Sequence, residues 1–406
     1  MRSFDKSSKL DKVCYDIRGP ALEEAKRMEE ADLEVLKLNI GNPAAFGFQA
    51  PVEIVKEISE NLTKAEGYID SKGLVSAREA IANYSMRRGT ANVIAENIFI
   101  GNGVSELIVM AMQGLLDDGD EILLPAPDYP LWTAAVVLAG GRPVHYICDE
   151  SSNWYPDAAD IRKKISSRTK GIVVINPNNP TGAVYPIEVL RRIVDLASEH
   201  SLALFSDEIY DRILYEGVVH MPTASVADRD TLCVTLNGLS KSHLITGYRV
   251  GWMAFSGDLL MAKNYLEGIN MLASMRLCSN VPAQYAIAPA LRNDGTIRDH
   301  TSADGRLGRQ RDLAYEWLLR IPGLSCTKPQ GAFYFFPKLD IEKFKIKDDE
   351  KFVLDMLKRQ NVLVVQGTAF NWTKPDHFRI VFLPELTVLQ RALGSLEVFL
   401  RSYRQS

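Results

Sequence analysis

Through the middle of the chain, short apolar runs rich in β-branched residues alternate with longer amphipathic stretches. The runs predict strands at residues 97–100, 121–124, 144–147, 171–175, 203–206, 232–236 and 251–255. The stretches between predict helices such as 106–116, 187–199 and 259–272. Strands separated by helix-length segments argue for βαβ units and a mainly parallel sheet covered on both faces. Periodicity leaves the order and direction of the strands open. At the start, Pro20 opens a helix over 21–30 ahead of a strand at 35–40. The last hundred residues alternate again, at 307–319, 332–336, 351–360, 362–365, 378–382 and 388–403, and the Gly/Asp/Thr-rich stretch 293–305 marks a seam. The expected architecture is α/β: a large domain over residues 50–295, its mainly parallel sheet flanked by helices. A small α/β domain is expected from both termini, residues 1–49 and 296–406, with an N-terminal arm.

At 406 residues the chain exceeds one compact core of ordinary size, and 46% hydrophobic with 24% charged residues is the balance of a soluble globular protein. A net charge of -4 offers no footprint for nucleic acid or for an anionic membrane. No apolar run approaches the ~20 residues of a membrane helix. The charged opening Met1-Arg2-Ser3-Phe4-Asp5-Lys6 has no apolar region after it, so no secretory leader is expected. Cys14, Cys148, Cys233, Cys278 and Cys326 are scattered and never paired as CxxC, which predicts free thiols and a cytoplasmic location. The histidines show no HxxxH or HExxH spacing, and no metal site is expected.

Four segments hold polar residues where a buried strand ends. Asn237-Gly238-Leu239-Ser240-Lys241 follows the run 232–236, with Arg249 eight residues past the lysine. A lysine desolvated beside another cation has a lowered pKa and becomes an amine nucleophile able to form a Schiff base, and a guanidinium suits a phosphate. Alone, such a lysine is more often a solvated loop residue. Asp207 closes Ala203-Leu204-Phe205-Ser206-Asp207, at the carboxyl edge where open α/β sheets bind ligands, with Tyr210 three residues on. Capping the next helix is an equal alternative for it. In Asn176-Pro177-Asn178-Asn179-Pro180-Thr181-Gly182, two prolines and a glycine fix a loop that presents Asn179 at a strand end. Gly101-Asn102-Gly103-Val104-Ser105-Glu106 joins a strand to a helix, and its free N–H groups form a phosphate cradle. Helix capping explains Ser105 equally well.

In this order the four segments resemble the class I aminotransferases of the fold-type I pyridoxal-phosphate enzymes, over nearly the whole chain. The resemblance implies that Lys241 carries the cofactor, that Asp207 faces its pyridine nitrogen, and that Tyr210 and Asn179 face its phenolic oxygen. It places the cofactor phosphate on Gly103, Val104, Ser105, Ser240 and Arg249, and the stacking ring on Tyr129. Tyr68 would reach the phosphate from a second subunit of a homodimer. Gly41 and Asn179 would face substrate, with Arg379 holding its α-carboxylate. One departure is visible: many members carry a phosphate-binding serine three residues before the lysine, and here that position is Gly238.

The opening segment 7–20 and the stretches 125–132 and 365–372 look especially like those of bacterial alanine (glutamate–pyruvate) aminotransferases. That likeness implies exchange between L-alanine and 2-oxoglutarate, the partners being an amino acid and a 2-oxo acid. Tyr15 and Arg18, on the N-terminal arm, are candidates to close the pocket and meet glutamate's distal carboxylate; Arg18 as an ordinary surface charge is as good a reading. The same residues would serve another pyridoxal-phosphate reaction: transamination of aspartate, aromatic or branched-chain substrates, or C–S lysis. A cofactor-binding transcriptional regulator would need a DNA-binding module ahead of the family-like region, which here begins almost at Met1.

Overall fold

The computed structural model describes residues 4–13, 19–292 and 295–405. Tyr15 and Arg18 lie outside the described residues.

The apolar runs form one eight-stranded sheet: β1 (Ile98–Gly101), β2 (Glu121–Ala126), β3 (Arg142–Asp149), β4 (Tyr155–Pro156), β5 (Thr169–Ile175), β6 (Ala203–Asp207), β7 (Cys233–Gly238) and β8 (Gly251–Ser256). Their spatial order is β1-β8-β7-β6-β5-β2-β3-β4. The five strands β7, β6, β5, β2 and β3 pair in parallel, while β8 runs antiparallel to both β7 and β1, and β4 antiparallel to β3. The expected α/β architecture with a mainly parallel sheet therefore holds, two reversed strands included.

Alternate residues of each strand feed opposite cores. Ile122, Leu124, Val173, Ile175 and Phe205 pack with the helices Val104–Leu115, Leu131–Leu138 and Lys263–Met275 on one face. Leu123, Ile172, Val174 and Leu204 meet Leu190, Ile193 and Val194 of the helix Ile187–Glu199 on the other. A sheet buried on both faces explains why its strands read as continuous apolar runs.

Residues from both ends of the chain share one further core. Leu36 and Leu38 lie with Leu307, Phe352, Ile380 and Leu396, and the strand Leu36–Lys37 pairs in parallel with Val362–Leu363. Tyr210, Ile213 and Tyr215, in the segment after β6, belong to that same core. The stretch expected to mark a seam, 293–305, holds an element that the sequence reading did not name. Residues Gly295–Thr301 form a helix, and Ile297 is buried in the terminal core. Its polar composition masked a helical face on which Ile297 and Thr301, four residues apart, both turn inward.

Candidate active site

The register of the sheet brings the predicted residues together. Ile175 of β5 lies level with Asp207 of β6, which lies level with Leu236 of β7. The three strands therefore end at one edge, the asparagine loop leaving β5 beside the carboxylate and Lys241 following β7 on the short helix Leu239–Ser242. Because β8 is antiparallel, it begins where its neighbours end, with Gly251 paired to Gly238 and to Gly101. Arg249, two residues ahead of it, thus arrives at the same edge.

These ends surround a cavity of about 260 Å³, lined by Gly41, Val104, Ser105, Tyr129, Asn179, Asp207, Tyr210, Ser240, Lys241, Arg249 and Arg379. That is just below the usual range for ligand pockets, about 300–1,000 Å³, and suits compact ligands. Gly103 adjoins the cavity as the residue before the helix Val104–Leu115. Its φ of 83° lies in the left-handed region that favours glycine. A Cβ there would run into the Arg249 guanidinium, and a Cβ on Gly251 would stand 2.6 Å from the Val104 nitrogen. The two glycines let Arg249 close over the first N–H groups of the helix, which have no intrahelical partners. The N-cap is Gly103 and Ser105 is the second residue of the helix, so the capping reading does not describe it. Glu106 reaches back instead to accept from the Asn102 N–H at 2.7 Å.

Lys241 donates from Nζ to the Gly41 carbonyl at 2.7 Å. Burial, with Arg379 and Arg249 nearby, lowers its pKa to about 7. Asp207 is buried, which pushes its carboxyl up to about 6 against the pull of two donors. The Trp132 indole N–H donates to Oδ2 at 3.1 Å, and the Ile209 N–H to Oδ1 at 3.3 Å. Residues 209–212 form a turn, so Asp207 does not cap a helix. The loop carrying Asn179 is braced from within, Asn178 accepting from the Thr181 hydroxyl and Asn176 from the Tyr185 N–H. Asn179 Oδ1 accepts from Arg379 Nη1 at 3.0 Å, while Nη2 donates to the Asn39 carbonyl at 2.5 Å. The Arg379 guanidinium sits between two rings, 4.5 Å from the centroids of Tyr334 and of Phe370.

Sequence reasoning missed two residues. Tyr334 lines the cavity, and Trp132 holds Asp207 from behind. Trp132 lies in the first turn of the helix Leu131–Leu138, and its contact with Asp207, 75 positions away, leaves no local signal in the sequence. Tyr334 lies in a run of four aromatics, Phe333-Tyr334-Phe335-Phe336, and only packing decides which ring faces the site. Tyr68 lies outside its own chain's pocket and is 80% exposed. Among the described residues no cluster of three or more His, Cys, Asp or Glu side chains could hold a metal, and no helix is long and apolar enough to cross a membrane.

A sheet-edge pocket with a desolvated lysine, a buried carboxylate and an arginine clamp matches a known family. The profile of "Aminotransferase class I and II" fits residues 34–396, and the chain belongs to that family of enzymes. Within it, the chain is 58% identical over 405 residues to the glutamate–pyruvate aminotransferase AlaA of Escherichia coli (strain K12), with 100% of each covered. A crystal structure of an aminotransferase from Escherichia coli superposes with a TM-score of 0.98 at 57% identity, covering 100% of both chains. An alanine aminotransferase from Pyrococcus furiosus superposes at 0.93 with 39% identity, covering 98% of this chain and 100% of that one.

Proposed function

We propose that the chain catalyses pyridoxal-phosphate-dependent transamination between L-alanine and 2-oxoglutarate, yielding pyruvate and L-glutamate. The observation that carries this reading is the amine of Lys241, poised near neutrality in a pocket beside two guanidiniums. The donor set fits the cofactor. The glycine-kept cradle at Gly103, Val104 and Ser105 with Ser240 and Arg249 suits its phosphate, and Asp207 suits a ring nitrogen that must stay protonated. Tyr210 and Asn179 suit its phenolic oxygen, and Tyr129 offers a ring for stacking. Bound there, pyridoxal phosphate supplies an electron sink for the electrons of a broken Cα–H bond.

The chain's own residues do the rest. Arg379, its fork pre-set by Asn179 and Asn39, holds the α-carboxylate and fixes which Cα bond faces the ring. Lys241 Nζ, neutral for part of the time at pH 7, would take the proton from Cα and deliver it to the cofactor carbon bonded to the amino nitrogen. Gly41 leaves room for substrate beside Tyr334. Tyr15 and Arg18 are assigned to closing the pocket over glutamate's distal carboxylate. We assign Tyr68 to the phosphate of a neighbouring subunit in a homodimer with shared sites. The reading includes a cytoplasmic location and a division into a large domain, 50–295, and a small one, 1–49 with 296–406.

The test is absorbance between 300 and 500 nm of the cofactor-loaded protein on adding L-alanine without a keto acid. Loss of the visible band to a shorter wavelength, restored by 2-oxoglutarate, is expected. A band that responds to L-aspartate but not to L-alanine would overturn the substrate. Ammonia release in place of band conversion would mean a lyase, and no band in the loaded wild type would overturn the cofactor.

A further inference from the structure

Tyr334 contacts both the substrate side and the cofactor side of the pocket. It is 2% exposed and sits on the strand Tyr334–Phe335, antiparallel to Phe378–Val381, the strand that carries Arg379. One face of its ring lies 4.5 Å from the Arg379 guanidinium. Its hydroxyl is 2.7 Å from the Tyr210 hydroxyl, with the two rings edge to face at 81°. That hydroxyl also abuts Gly41, where a Cβ would collide with it, and the Gly41 carbonyl accepts from Lys241.

We propose that Tyr334 is a positioning residue that joins the carboxylate clamp to the cofactor's oxygen contact, its ring seating Arg379 and its hydroxyl orienting Tyr210. The inference rests on the reading of the pocket given above. Two phenols at this distance share one hydrogen bond, so one of them donates. With Tyr334 as donor, the proton of Tyr210 is released toward the pocket. The chain from Tyr334 through Tyr210 to the ligand oxygen then polarises the second bond and strengthens it. A desolvated guanidinium against an aromatic face is held more firmly than one against an aliphatic wall. Ring and hydroxyl thus do separable work, one on substrate binding and one on the electronics of the cofactor.

Two variants separate them, measured on the cofactor-loaded enzyme. Tyr334→Phe keeps the ring and removes the hydroxyl; Tyr334→Leu removes both. For Tyr334→Phe, KM for L-alanine is expected to stay within about twofold of wild type while kcat falls by on the order of tenfold, the loss of one hydrogen bond. The protonation midpoint of the visible band is expected to move up. A weaker donor leaves the phenolic oxygen more electron-rich and the conjugated nitrogen more basic. For Tyr334→Leu the same spectral shift is expected, with KM raised on the order of tenfold. If Tyr334→Leu does not fold, Tyr334→Met supplies the ring-free comparison. An unmoved midpoint in Tyr334→Phe overturns the hydroxyl role, and equal KM values in the Phe and Leu (or Met) variants overturn the ring role. A wild-type protein whose band ignores every amino acid overturns the pocket reading and this inference with it. A wild type that responds while the variants behave identically to it sinks Tyr334 alone.

Discussion

An ordinary lysine, with a pKa near ~10.4, is almost wholly charged at neutral pH. Lys241, lowered to about 7 by burial and two arginines, is near half-neutral there. Because the neutral amine is the nucleophile, mixing cofactor-free protein with pyridoxal phosphate should form the visible band at a rate that climbs through about pH 7. A rate that climbs only near pH 10 would contradict the environment described. In the proposed role Asp207 has the opposite requirement, to stay a carboxylate, and burial already raises it to about 6. Trp132→Phe removes a donor that opposes this rise, so the carboxyl should go higher still. A hydrogen bond to a charged group is worth roughly 1.5–3 kcal/mol, or about one to two pH units. The acid limb of the kcat profile should therefore move to higher pH, with activity at pH 6 falling more than at pH 8. An unchanged profile would mean that the Trp132 contact does not tune the carboxylate. Lysine, aspartate and asparagine loop could be picked out of the sequence because each follows an apolar run. Trp132 could not, as its indole N–H finds Asp207 only across 75 positions of sequence.

At the scale of the element, Gly238 accounts for the missing serine. Its backbone is extended, which any residue adopts, so conformation is not the constraint. Space is: a Cβ would lie 2.5 Å from the Val250 carbonyl oxygen and 2.9 Å from the Gly251 Cα. Here β7 and β8 press together at the point where both turn toward the pocket. Gly238→Ser should therefore lower the thermal midpoint, overpacking costing about 1–3 kcal/mol, without improving cofactor retention. Calorimetry with a cofactor-release assay checks both, and a serine variant that is as stable and retains cofactor better would refute the steric account. The existence of β7 and β8 was legible, their apolar runs being long enough to stand out. The direction of β8 was not, because a buried strand has the same pattern in either sense. Yet that direction is what carries Arg249 to the ligand edge. The helix Gly295–Thr301 went unread for a different reason: a mostly polar stretch reveals its buried face only when a partner core is known.

Across the whole molecule, exposed apolar residues gather beside Tyr68. Met271, Met275 and Leu277 are 62%, 80% and 52% exposed at the end of the helix Lys263–Met275 and just past it. Arg276 ties that end to the Tyr68 segment through the Ser71 carbonyl at 3.3 Å. Such a patch is consistent with the proposed dimer, and Met275→Glu, placing a charge within it, should shift the protein toward monomer and reduce activity with it. Light scattering with a parallel assay tests this; a fully active monomer would refute the shared site. The sequence by itself determined the α/β class, the strands and the polar residues at their ends, because buried parallel strands and fixed loops leave local signatures. It also carried the family resemblance that pointed to Arg379. Only the tertiary structure decided which ends meet, since register and strand direction are non-local. It alone set the pKa values of Lys241 and Asp207 and brought Trp132 and Tyr334 into the site, because desolvation and contact depend on what the rest of the chain packs around each group.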